Sequence, residues 1–324
     1  MSYVLCMNCL RPKEGALCPH CGKWEAELRN DMDQLPVYSR LQEGRYIIGT
    51  SRKHGFGEEH GFSYHSWDSL LGRPVIVKEV ARIMECATRK EVLEPGGFGS
   101  YYRENWPVLW NTQKRYALPG LPEIYDVFHH GDVTGVEWAS TWYCIQEHVT
   151  GISLGQYMKD LGSELNAAAT VRFLLPLMKD LARAHSAGLF HGDIDQHTVV
   201  LTSDHRVRFR DMFAAENIGN YDIPLPPAST PYSYWGQSEM GSQERRQRED
   251  IWRMGALFVY CLTGNTVDRT GGRKGTPIPV NWDRCDPVFT APIRRVVERA
   301  LSADVEYQYL TMAEFYADLV RCLG

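Results

Sequence analysis

The chain contains no long apolar run. About 20 consecutive apolar residues are needed to span a bilayer, whereas the longest candidate, at residues 254–262, is short and typical of a buried core helix. The N-terminus also lacks the basic stretch followed by an apolar stretch that marks a secretory signal peptide. We therefore predict a protein without a membrane span that is located in the cytoplasm.

A strong charge of either sign is also absent. The 324 residues carry a formal net charge of −5 at pH 7. A slightly negative net charge does not indicate a nucleic-acid partner. The composition is ordinary for a globular protein. The length is sufficient for a large core, and we expect two lobes and a small appendage.

Cysteine is present but unevenly distributed. Of the nine cysteines, four lie in the first 21 residues as two C-x-x-C pairs, Cys6 with Cys9 and Cys18 with Cys21. The other five are scattered, as is usual for small core or surface residues. This pattern suits a reducing compartment better than an oxidising one.

The two C-x-x-C pairs predict a structural metal site. Each pair can fold in a tight turn over one ion, with Gly22 supplying a left-handed backbone conformation in the second turn. Two such turns joined by a hairpin place the thiolates of Cys6, Cys9, Cys18 and Cys21 in the tetrahedron that Zn²⁺ takes in closed sites. The alternative is a pair of disulfides or a redox pair, which the absence of secretion signals or a thioredoxin-like context disfavours.

The cysteine-rich segment resembles the zinc-ribbon family over about 20 residues. A site with four protein ligands has no open coordination position, so the predicted role is structural or interactive rather than catalytic. Ribbons of this family bind proteins or nucleic acids, or brace a neighbouring domain. We assign residues 1–25 to the ribbon and residues 26–40 to a polar linker.

The rest of the chain predicts a mixture of strands and helices. Residues 46–48, 64–67 and 75–78 are rich in aromatic and β-branched side chains and are typical of strands. The glycine-rich string at 96–99 is predicted to be a loop. Residues 171–187 show helical periodicity, and Gly188 is a typical helix terminator.

Four sequence motifs follow one another in the chain: V-I-V-K-E at 75–79, H-G-D-I-D-Q-H-T at 191–198, D-M-F at 211–213 and D-I-W-R-M-G at 250–255. In the same order, they resemble V-A-I-K-E, H-R-D-L-K-P-x-N, D-F-G and D-I-W-S-L-G of bacterial-type Ser/Thr protein kinases. The resemblance covers residues 41–322. It implies an α+β, bilobal protein-kinase-like fold, with a β-rich N-lobe at 41–149 and an α-helical C-lobe at 150–324.

The resemblance implies a nucleotide site for ATP in the N-lobe. In the family, the residue at the position of Lys78 holds the α- and β-phosphates and pairs with a helix glutamate, for which Glu104 is the candidate. Glu147 and Val149 stand at the hinge position, where backbone groups meet adenine. ATP and Mg²⁺ are the cofactors that this resemblance implies, beside the structural zinc.

The resemblance also assigns roles in the catalytic loop. Asp193 matches the proton acceptor, Asp211 matches the Mg²⁺-binding aspartate of D-F-G, and Asp250 matches the residue that caps the loop backbone. Thr198 stands in place of the second metal ligand, normally Asn, and is a shorter and poorer one. Asp195 replaces a Lys that steadies the transferring phosphate, so it reverses a charge where negative charge develops.

Other departures from the family pattern lie outside the catalytic loop. The glycine-rich loop before Lys78 is stretched and contains Glu58 and Glu59, whose charges oppose phosphate binding. Phe213 replaces the Gly of D-F-G. A buried Glu–Arg ion pair of the family is replaced by Gln237 and Gln308, for which we expect a direct or water-bridged contact.

These departures favour a pseudokinase that binds a protein partner, with or without a nucleotide, and uses the ribbon as a docking element. One alternative is an active but atypical Ser/Thr kinase that transfers the ATP γ-phosphate to a protein hydroxyl. Another is a kinase fold that transfers a group other than phosphate. The sequence does not identify the protein partner or substrate.

Overall fold

A computed structural model of the chain describes residues 4–31, 34–52, 61–80, 98–130, 141–212, 242–267, 280–282, 287–302 and 304–322. The chain divides into two compact units. The N-terminal unit comprises Met1–Ala117 and Glu123–His148, and the C-terminal unit comprises Leu118–Pro122 and Val149–Gly324. No helix within the described ranges has the length and apolar character required to cross a membrane.

The N-terminal unit is built around an antiparallel sheet of six strands in the order β3-β4-β5-β6-β8-β7. A separate two-stranded ribbon, β1 (Val4–Leu5) and β2 (Pro12–Lys13), precedes it. The strands of the large sheet are β3 (Arg40–Leu41), β4 (Tyr46–Ser51), β5 (Gly61–Asp68), β6 (Arg73–Val80), β7 (Ile124–His130) and β8 (Thr141–Glu147). Helix α1 (Phe98–Tyr116) lies between β6 and β7 in the chain.

The start of α1 corrects one expectation. The glycine-rich string at 96–99 was expected to be a loop, but residues from Phe98 onward are helical. A single glycine inside a helix costs only about 1 kcal/mol relative to alanine. The penalty at Gly99 is therefore small enough for the helix to include it.

The core of the N-terminal unit lies against one face of the sheet. It contains a residue from the segment that the sequence predicted to be a linker: Leu35 is fully buried in this core. The backbone N–H of Leu35 also donates to the Tyr64 hydroxyl at 3.0 Å. The other members of the core are Leu41, Tyr46, Ile48, Phe62, Tyr64, Val75, Val77, Tyr143 and Ile145.

The ribbon is attached to β4 by backbone and side-chain hydrogen bonds. The N–H of Thr50 donates to the carbonyl of Met7 at 2.9 Å, and its hydroxyl donates to Asn8 at 3.2 Å. At Gly49 an added Cβ would lie 2.3 Å from the carbonyl oxygens of Met7 and His65. The backbones approach so closely that only glycine fits there, so the ribbon packs against the sheet of its own unit.

The C-terminal unit is mainly helical. Its elements are β9 (Ile152–Ser153), α2 (Leu154–Leu161), α3 (Ala167–Ser186), β10 (Val199–Leu201), β11 (Val207–Phe209), α4 (Ser242–Thr263), α5 (Pro287–Ala300) and α6 (Met312–Arg321). Helix α3 packs against α4 and α6, and α5 packs against α4. The three short strands form a sheet in the order β11-β10-β9.

Helix α3 leads directly into the segment with the catalytic-loop motif. Asn166 caps its N-terminus by accepting a hydrogen bond from Ala169 N–H at 2.8 Å. Its C-terminal end confirms the predicted stop, because Gly188 has φ +74° and donates its N–H to the carbonyl of His185 at 3.0 Å. The buried face of α3, with Leu174, Leu177 and Leu181, therefore fixes where the loop at 191–198 begins.

The burial of Leu35 gives a test of whether residues 26–40 belong to the folded unit. We expect Leu35→Ala to lower the free energy of unfolding of the N-terminal unit by about 2–5 kcal/mol, the usual cost of a cavity in a core. Urea denaturation followed by tryptophan fluorescence measures this change.

The control is Leu70→Ala, which removes the same atoms from a side chain that is 72% exposed. We expect a change of less than about 0.5 kcal/mol there. Equal effects of the two substitutions would show that Leu35 is not part of the core.

Candidate functional site

The backbone of the ribbon forms two similar turns, one around each cysteine pair. In the first, the N–H of Leu10 donates to the carbonyl of Cys6 at 2.8 Å, and in the second, the N–H of Gly22 donates to the carbonyl of Cys18 at 2.9 Å. Leu10 and Gly22 have φ +57° and φ +67°. The left-handed conformation predicted at Gly22 is therefore confirmed, and its counterpart is a leucine, which the sequence did not reveal.

The four predicted zinc ligands lie together. The Sγ atoms of Cys6 and Cys21 are 3.7 Å apart, those of Cys9 and Cys18 are 3.6 Å apart, and all four lie within 4.8 Å of one another. A tetrahedral ion with metal–sulfur bonds of about 2.3 Å separates its sulfur ligands by about 3.8 Å, whereas a disulfide needs about 2.05 Å. The thiols are therefore spaced as ligands of one cation.

The thiols of the ribbon differ in acidity. Although burial opposes it, the backbone N–H groups of Cys21 and His20 lower the pKa of Cys18 to about 6. Burial raises the pKa of Cys9 to about 12. Four thiolates this close repel one another strongly unless a cation compensates their charge.

Lys78 lies in the middle of β6, opposite Ser63 of β5 and Cys144 of β8. It is 1% exposed. Because successive side chains alternate across a strand, Lys78 lies on the face opposite Val77 and Glu79. This places the predicted phosphate-binding lysine at a sheltered position on the sheet face away from the core.

Glu79 anchors the core side of β6 next to Lys78. Its carboxylate accepts hydrogen bonds from the hydroxyls of Tyr64 at 2.7 Å and Tyr143 at 3.2 Å. All three side chains are buried. A buried carboxylate needs such partners to offset its lost hydration, and the result is a fixed register for the strand that carries Lys78.

The other predicted nucleotide-binding residues fall at three places. Glu104 is a residue of α1, and its side chain lies outside the described residues. Glu147 ends β8, and its N–H donates to the carbonyl of Glu123 at 2.8 Å. Val149 is buried and is the first residue of the second segment of the C-terminal unit.

The loop at 191–198 is held by the buried carboxylate of Asp250. Its Oδ2 accepts hydrogen bonds from the N–H of His191 at 2.7 Å and from Nε2 of His185 at 2.9 Å, and its Oδ1 accepts from the N–H of Gly192 at 2.8 Å. Burial opposes ionisation, but the hydrogen bonds from His185 and His191 hold the pKa of Asp250 below its usual value. The expected capping role of Asp250 is confirmed.

Thr198 and Asp195 close the second half of the loop on itself. The Thr198 hydroxyl accepts from the N–H of Asp195 at 2.9 Å and lies 2.9 Å from the carbonyl of Asp193, to which it donates. The Asp195 carboxylate accepts from the N–H groups of His197 and Thr198, each at 2.8 Å. Asp195 and Thr198, which depart from the kinase motif, are therefore both engaged with the loop backbone.

Asp193, the candidate proton acceptor, forms an ion pair that the sequence reasoning missed. Its Oδ1 lies 3.1 Å from Nη1 of Arg253, whose Nε donates to Glu249 at 2.7 Å. Burial raises the pKa of Asp193, and the charge of Arg253 opposes this rise. The available signal was Arg253 itself, which stands where the D-I-W-S-L-G motif has serine.

Asp211, the predicted Mg²⁺ ligand, is buried, and its Oδ1 accepts from the N–H of Met212 at 2.9 Å. The segment before it is fixed to the loop, since the N–H of Arg210 donates to the carbonyl of Thr198 at 2.7 Å. The structure therefore brings Asp193, Thr198 and Asp211 together within the C-terminal unit.

His191 also joins the loop to the segment that carries Asp211. Its ring packs on Phe209 with centroids 4.3 Å apart, and its Nδ1 accepts from the N–H of Asp193 at 3.2 Å. The backbone of Asp211 is close enough to the ring to influence its pKa. Burial lowers the pKa of His191 to about 4, so the ring is neutral at neutral pH.

Several further expectations fall outside the described residues, namely those on Glu58, Glu59, Phe213 and Gln237. The described member of the expected glutamine pair, Gln308, donates to the carbonyl of Ala300 at 2.8 Å and accepts from Arg248 at 3.5 Å. Arg248 also pairs with Glu244 at 2.8 Å. A buried guanidinium therefore lies beside Gln308.

Comparisons with known proteins identify the fold. No protein-family model matches the chain. It is 24% identical over 294 residues to the probable serine/threonine-protein kinase SCO3848 of Streptomyces coelicolor, covering 86% of this chain and 40% of that protein. It is 23% identical over 347 aligned positions to the serine/threonine-protein kinase PknG of Mycobacterium leprae, covering 99% of this chain and 40% of that protein.

The chain thus spans about two fifths of the length of these curated relatives. Among solved structures, the PknI kinase domain of Mycobacterium tuberculosis matches with a TM-score of 0.58 and 16% identity, covering 90% of this chain and 100% of that domain. The fold is that of a protein kinase domain, and the homologues are bacterial Ser/Thr protein kinases.

The neutral, buried ring of His191 predicts a pH dependence of stability. An unfolded histidine titrates near pH 6.5, so between about pH 6.5 and 4 the unfolded chain takes up a proton that the folded chain excludes. The free energy of unfolding should fall as pH falls through this window, by up to about 1.4 kcal/mol per pH unit from this group. Urea denaturation at neutral pH and near pH 5 measures this loss.

His191→Gln removes the titrating ring, and we expect this variant to lose less stability between the two pH values than the parent does. The control is His205→Asn, which removes an exposed histidine of the same unit at φ +60°, a backbone conformation that asparagine tolerates. An unchanged pH dependence in His191→Gln would contradict the assignment.

Proposed function

We propose that this chain, with its protein-kinase fold and its Ser/Thr kinase homologues, is a nucleotide-binding regulatory module that engages a protein partner and has weak or no phosphotransfer activity. The observation that carries the proposal is the engagement of the Thr198 hydroxyl within its own loop, between the N–H of Asp195 and the carbonyl of Asp193.

The hydrogen bonds of the Thr198 hydroxyl leave only one lone pair for a metal ion. A hydroxyl offers one donor and two acceptor lone pairs, and the loop already uses the donor and one lone pair. The asparagine found here in the kinase family reaches further and offers an amide carbonyl. Loss of one preorganised electrostatic contact raises a reaction barrier by about 2.7–4 kcal/mol, which supports at most slow transfer.

The residues that would hold ATP and Mg²⁺ are retained. By resemblance, Lys78 would bind the phosphates and Asp211 would bind Mg²⁺, which neutralises phosphate charge. The sheltered position of Lys78 on β6 and the burial of Asp211 suit these roles. Glu147 and Val149 stand at the hinge position of the motif order, and Glu104 is the candidate partner of Lys78.

We assign zinc to the four thiols of the ribbon. The spacing of the Sγ atoms fits a tetrahedral ion, and a site with four thiolates is closed to substrates. Zinc would therefore have a structural role. Because the ribbon is hydrogen-bonded to β4 through Met7 and Thr50, it would brace the sheet of the N-terminal unit, and its outer surface would serve for docking.

The second candidate function is that of an active, atypical Ser/Thr kinase. It is favoured by Asp193, whose side chain is 38% exposed and whose loop is anchored by Asp250 as the kinase resemblance implies. Such a carboxylate could accept the proton of a substrate hydroxyl. The two candidates share nucleotide binding and differ only in transfer.

Nucleotide binding is tested by thermal denaturation with and without ATP and Mg²⁺. We expect ATP with Mg²⁺ to raise the melting temperature and Lys78→Met, which keeps the volume of the buried side chain, to abolish the rise. Lys179→Ala, at an exposed position on α3, is the control. A parent protein that shows no response to ATP would contradict the proposal.

Transfer is tested in parallel with γ-labelled ATP and a generic protein substrate. We expect little or no label with the parent and more with Thr198→Asn, which restores the family's metal ligand. Efficient transfer by the parent that is lost in Asp193→Ala would replace the first candidate with the second.

The zinc assignment predicts one zinc ion per chain, measurable by elemental analysis. We expect Cys18→Ser to lose the metal and to lower the melting temperature of the N-terminal unit, because binding energy at a structural zinc site contributes to folding. The control is Cys322→Ser, because Cys322 is a free cysteine at the C-cap of α6 and is not one of the four predicted ligands. Full zinc content in Cys18→Ser would contradict the assignment.

A further inference from the structure

The ion pair of Arg253 and Asp193 joins helix α4 to the loop at 191–198. Arg253 lies one helical turn after Glu249, and its guanidinium contacts Glu249 at 2.7 Å and Asp193 at 3.1 Å. Only 10% of its side chain is exposed. The guanidinium is thus held in place by two carboxylates of the same unit.

The charges around this pair are mostly negative. Besides Asp193, the carboxylates of Asp195 and Asp211 are close enough to raise the pKa of Asp193, after the larger effect of its burial. Three carboxylates gathered at one place repel any further anion, including the phosphates of a nucleotide. A protein cation beside these carboxylates, in addition to Mg²⁺, would favour the binding of a triphosphate there.

Position 195 cannot supply that cation. The kinase motif has a lysine there, whereas this chain has Asp195, whose carboxylate accepts from the N–H groups of His197 and Thr198. The motif of α4 shows the opposite change, since Arg253 replaces a neutral serine. One positive charge is missing from the loop and one has been added on the helix that contacts it.

We infer that Arg253 supplies the positive charge that position 195 lacks, and that it contacts the terminal phosphate of bound ATP beside Asp193. The inference rests on the proposed nucleotide binding. A guanidinium has five N–H donors in a planar fork, so it can bind two carboxylates and also reach a phosphate oxygen. Its charge does not depend on pH in the physiological range.

A purely structural role for Arg253 makes a different prediction. An arginine that only ties the loop to α4 stabilises the fold equally, whichever nucleotide is bound. An arginine at the terminal phosphate strengthens the binding of a triphosphate and leaves that of a diphosphate nearly unchanged. The ratio of the two affinities therefore separates a phosphate contact from a brace.

Isothermal titration calorimetry with Mg²⁺ measures both affinities, using a non-hydrolysable ATP analogue and ADP on the full chain. We expect Arg253→Gln to weaken the binding of the ATP analogue about tenfold or more, the effect of one charge-assisted contact. The binding of ADP should weaken less than about twofold. The double variant Asp195→Lys/Arg253→Gln should regain most of the lost affinity for the ATP analogue, because it restores the charge at the family's position.

The matched control is Arg294→Gln. Arg294 pairs with Glu298 through its Nε at 2.7 Å, four residues apart in α5, as Arg253 pairs with Glu249 in α4. It is an exposed pair, and its loss should change neither affinity. Thermal melting of each variant checks that it is folded.

A second variant tests the inference without touching Arg253. Asp195→Asn keeps an acceptor oxygen for the N–H groups of His197 and Thr198 but removes one negative charge. It should therefore strengthen the binding of the ATP analogue relative to that of ADP. An unchanged ratio in this variant, or equal weakening of both ligands in Arg253→Gln, would overturn the inference and leave nucleotide binding intact. A parent protein that binds neither ligand would overturn the nucleotide-binding proposal and this inference with it.

Discussion

The buried carboxylate of Asp250 is the contact on which the geometry of the candidate site depends. It accepts hydrogen bonds from the backbone N–H groups of His191 and Gly192 and from the ring of His185. A buried charge is tolerated only when it is fully paired in this way. Because α4 carries Asp250 and α3 carries His185, the start of the loop is fixed by the packing of two long helices.

From this anchor the rest of the loop can vary in sequence without losing its shape. Thr198 and Asp195 depart from the kinase motif, yet both are engaged with the loop backbone. The fold can therefore persist while the side chains that handle metal and phosphate change. The backbone hydrogen bonds that hold the loop and the side chains that the kinase motif assigns to metal and phosphate belong to different atoms of the same loop.

The pairing of Arg253 with Asp193 adds a long-range element to this picture. Sixty residues separate the two in the chain, and α4 presents the arginine to the loop because Asp250, one turn earlier in the same helix, fixes the loop against it. The negative potential from Asp193, Asp195 and Asp211 is thereby partly offset by a cation that does not belong to the loop motif.

Much of the fold and part of the candidate site could be predicted from sequence. The cysteine spacing predicted the thiol cluster because two short turns leave the sulfur atoms few alternatives, and the order of the kinase motifs predicted the fold. The capping role of Asp250 followed from its motif. Each of these features depends on residues that are close in the chain or tied to a recurring motif.

The features that escaped prediction depend on contacts between distant residues. Leu35 lies in a polar stretch that has no strand or helix periodicity, and only the tertiary structure shows it in the core. Arg253 was visible as a departure from a motif, but its partner lies in another element. Leu10 adopts a left-handed conformation that sequence patterns associate with glycine.

The most direct test of the account is a crystal structure of the chain with a non-hydrolysable ATP analogue and Mg²⁺. The account predicts metal at Asp211, the Thr198 hydroxyl still hydrogen-bonded to the carbonyl of Asp193, and the guanidinium of Arg253 at the terminal phosphate. A structure with a second Mg²⁺ coordinated by Thr198, and with Arg253 turned away from the nucleotide, would contradict it.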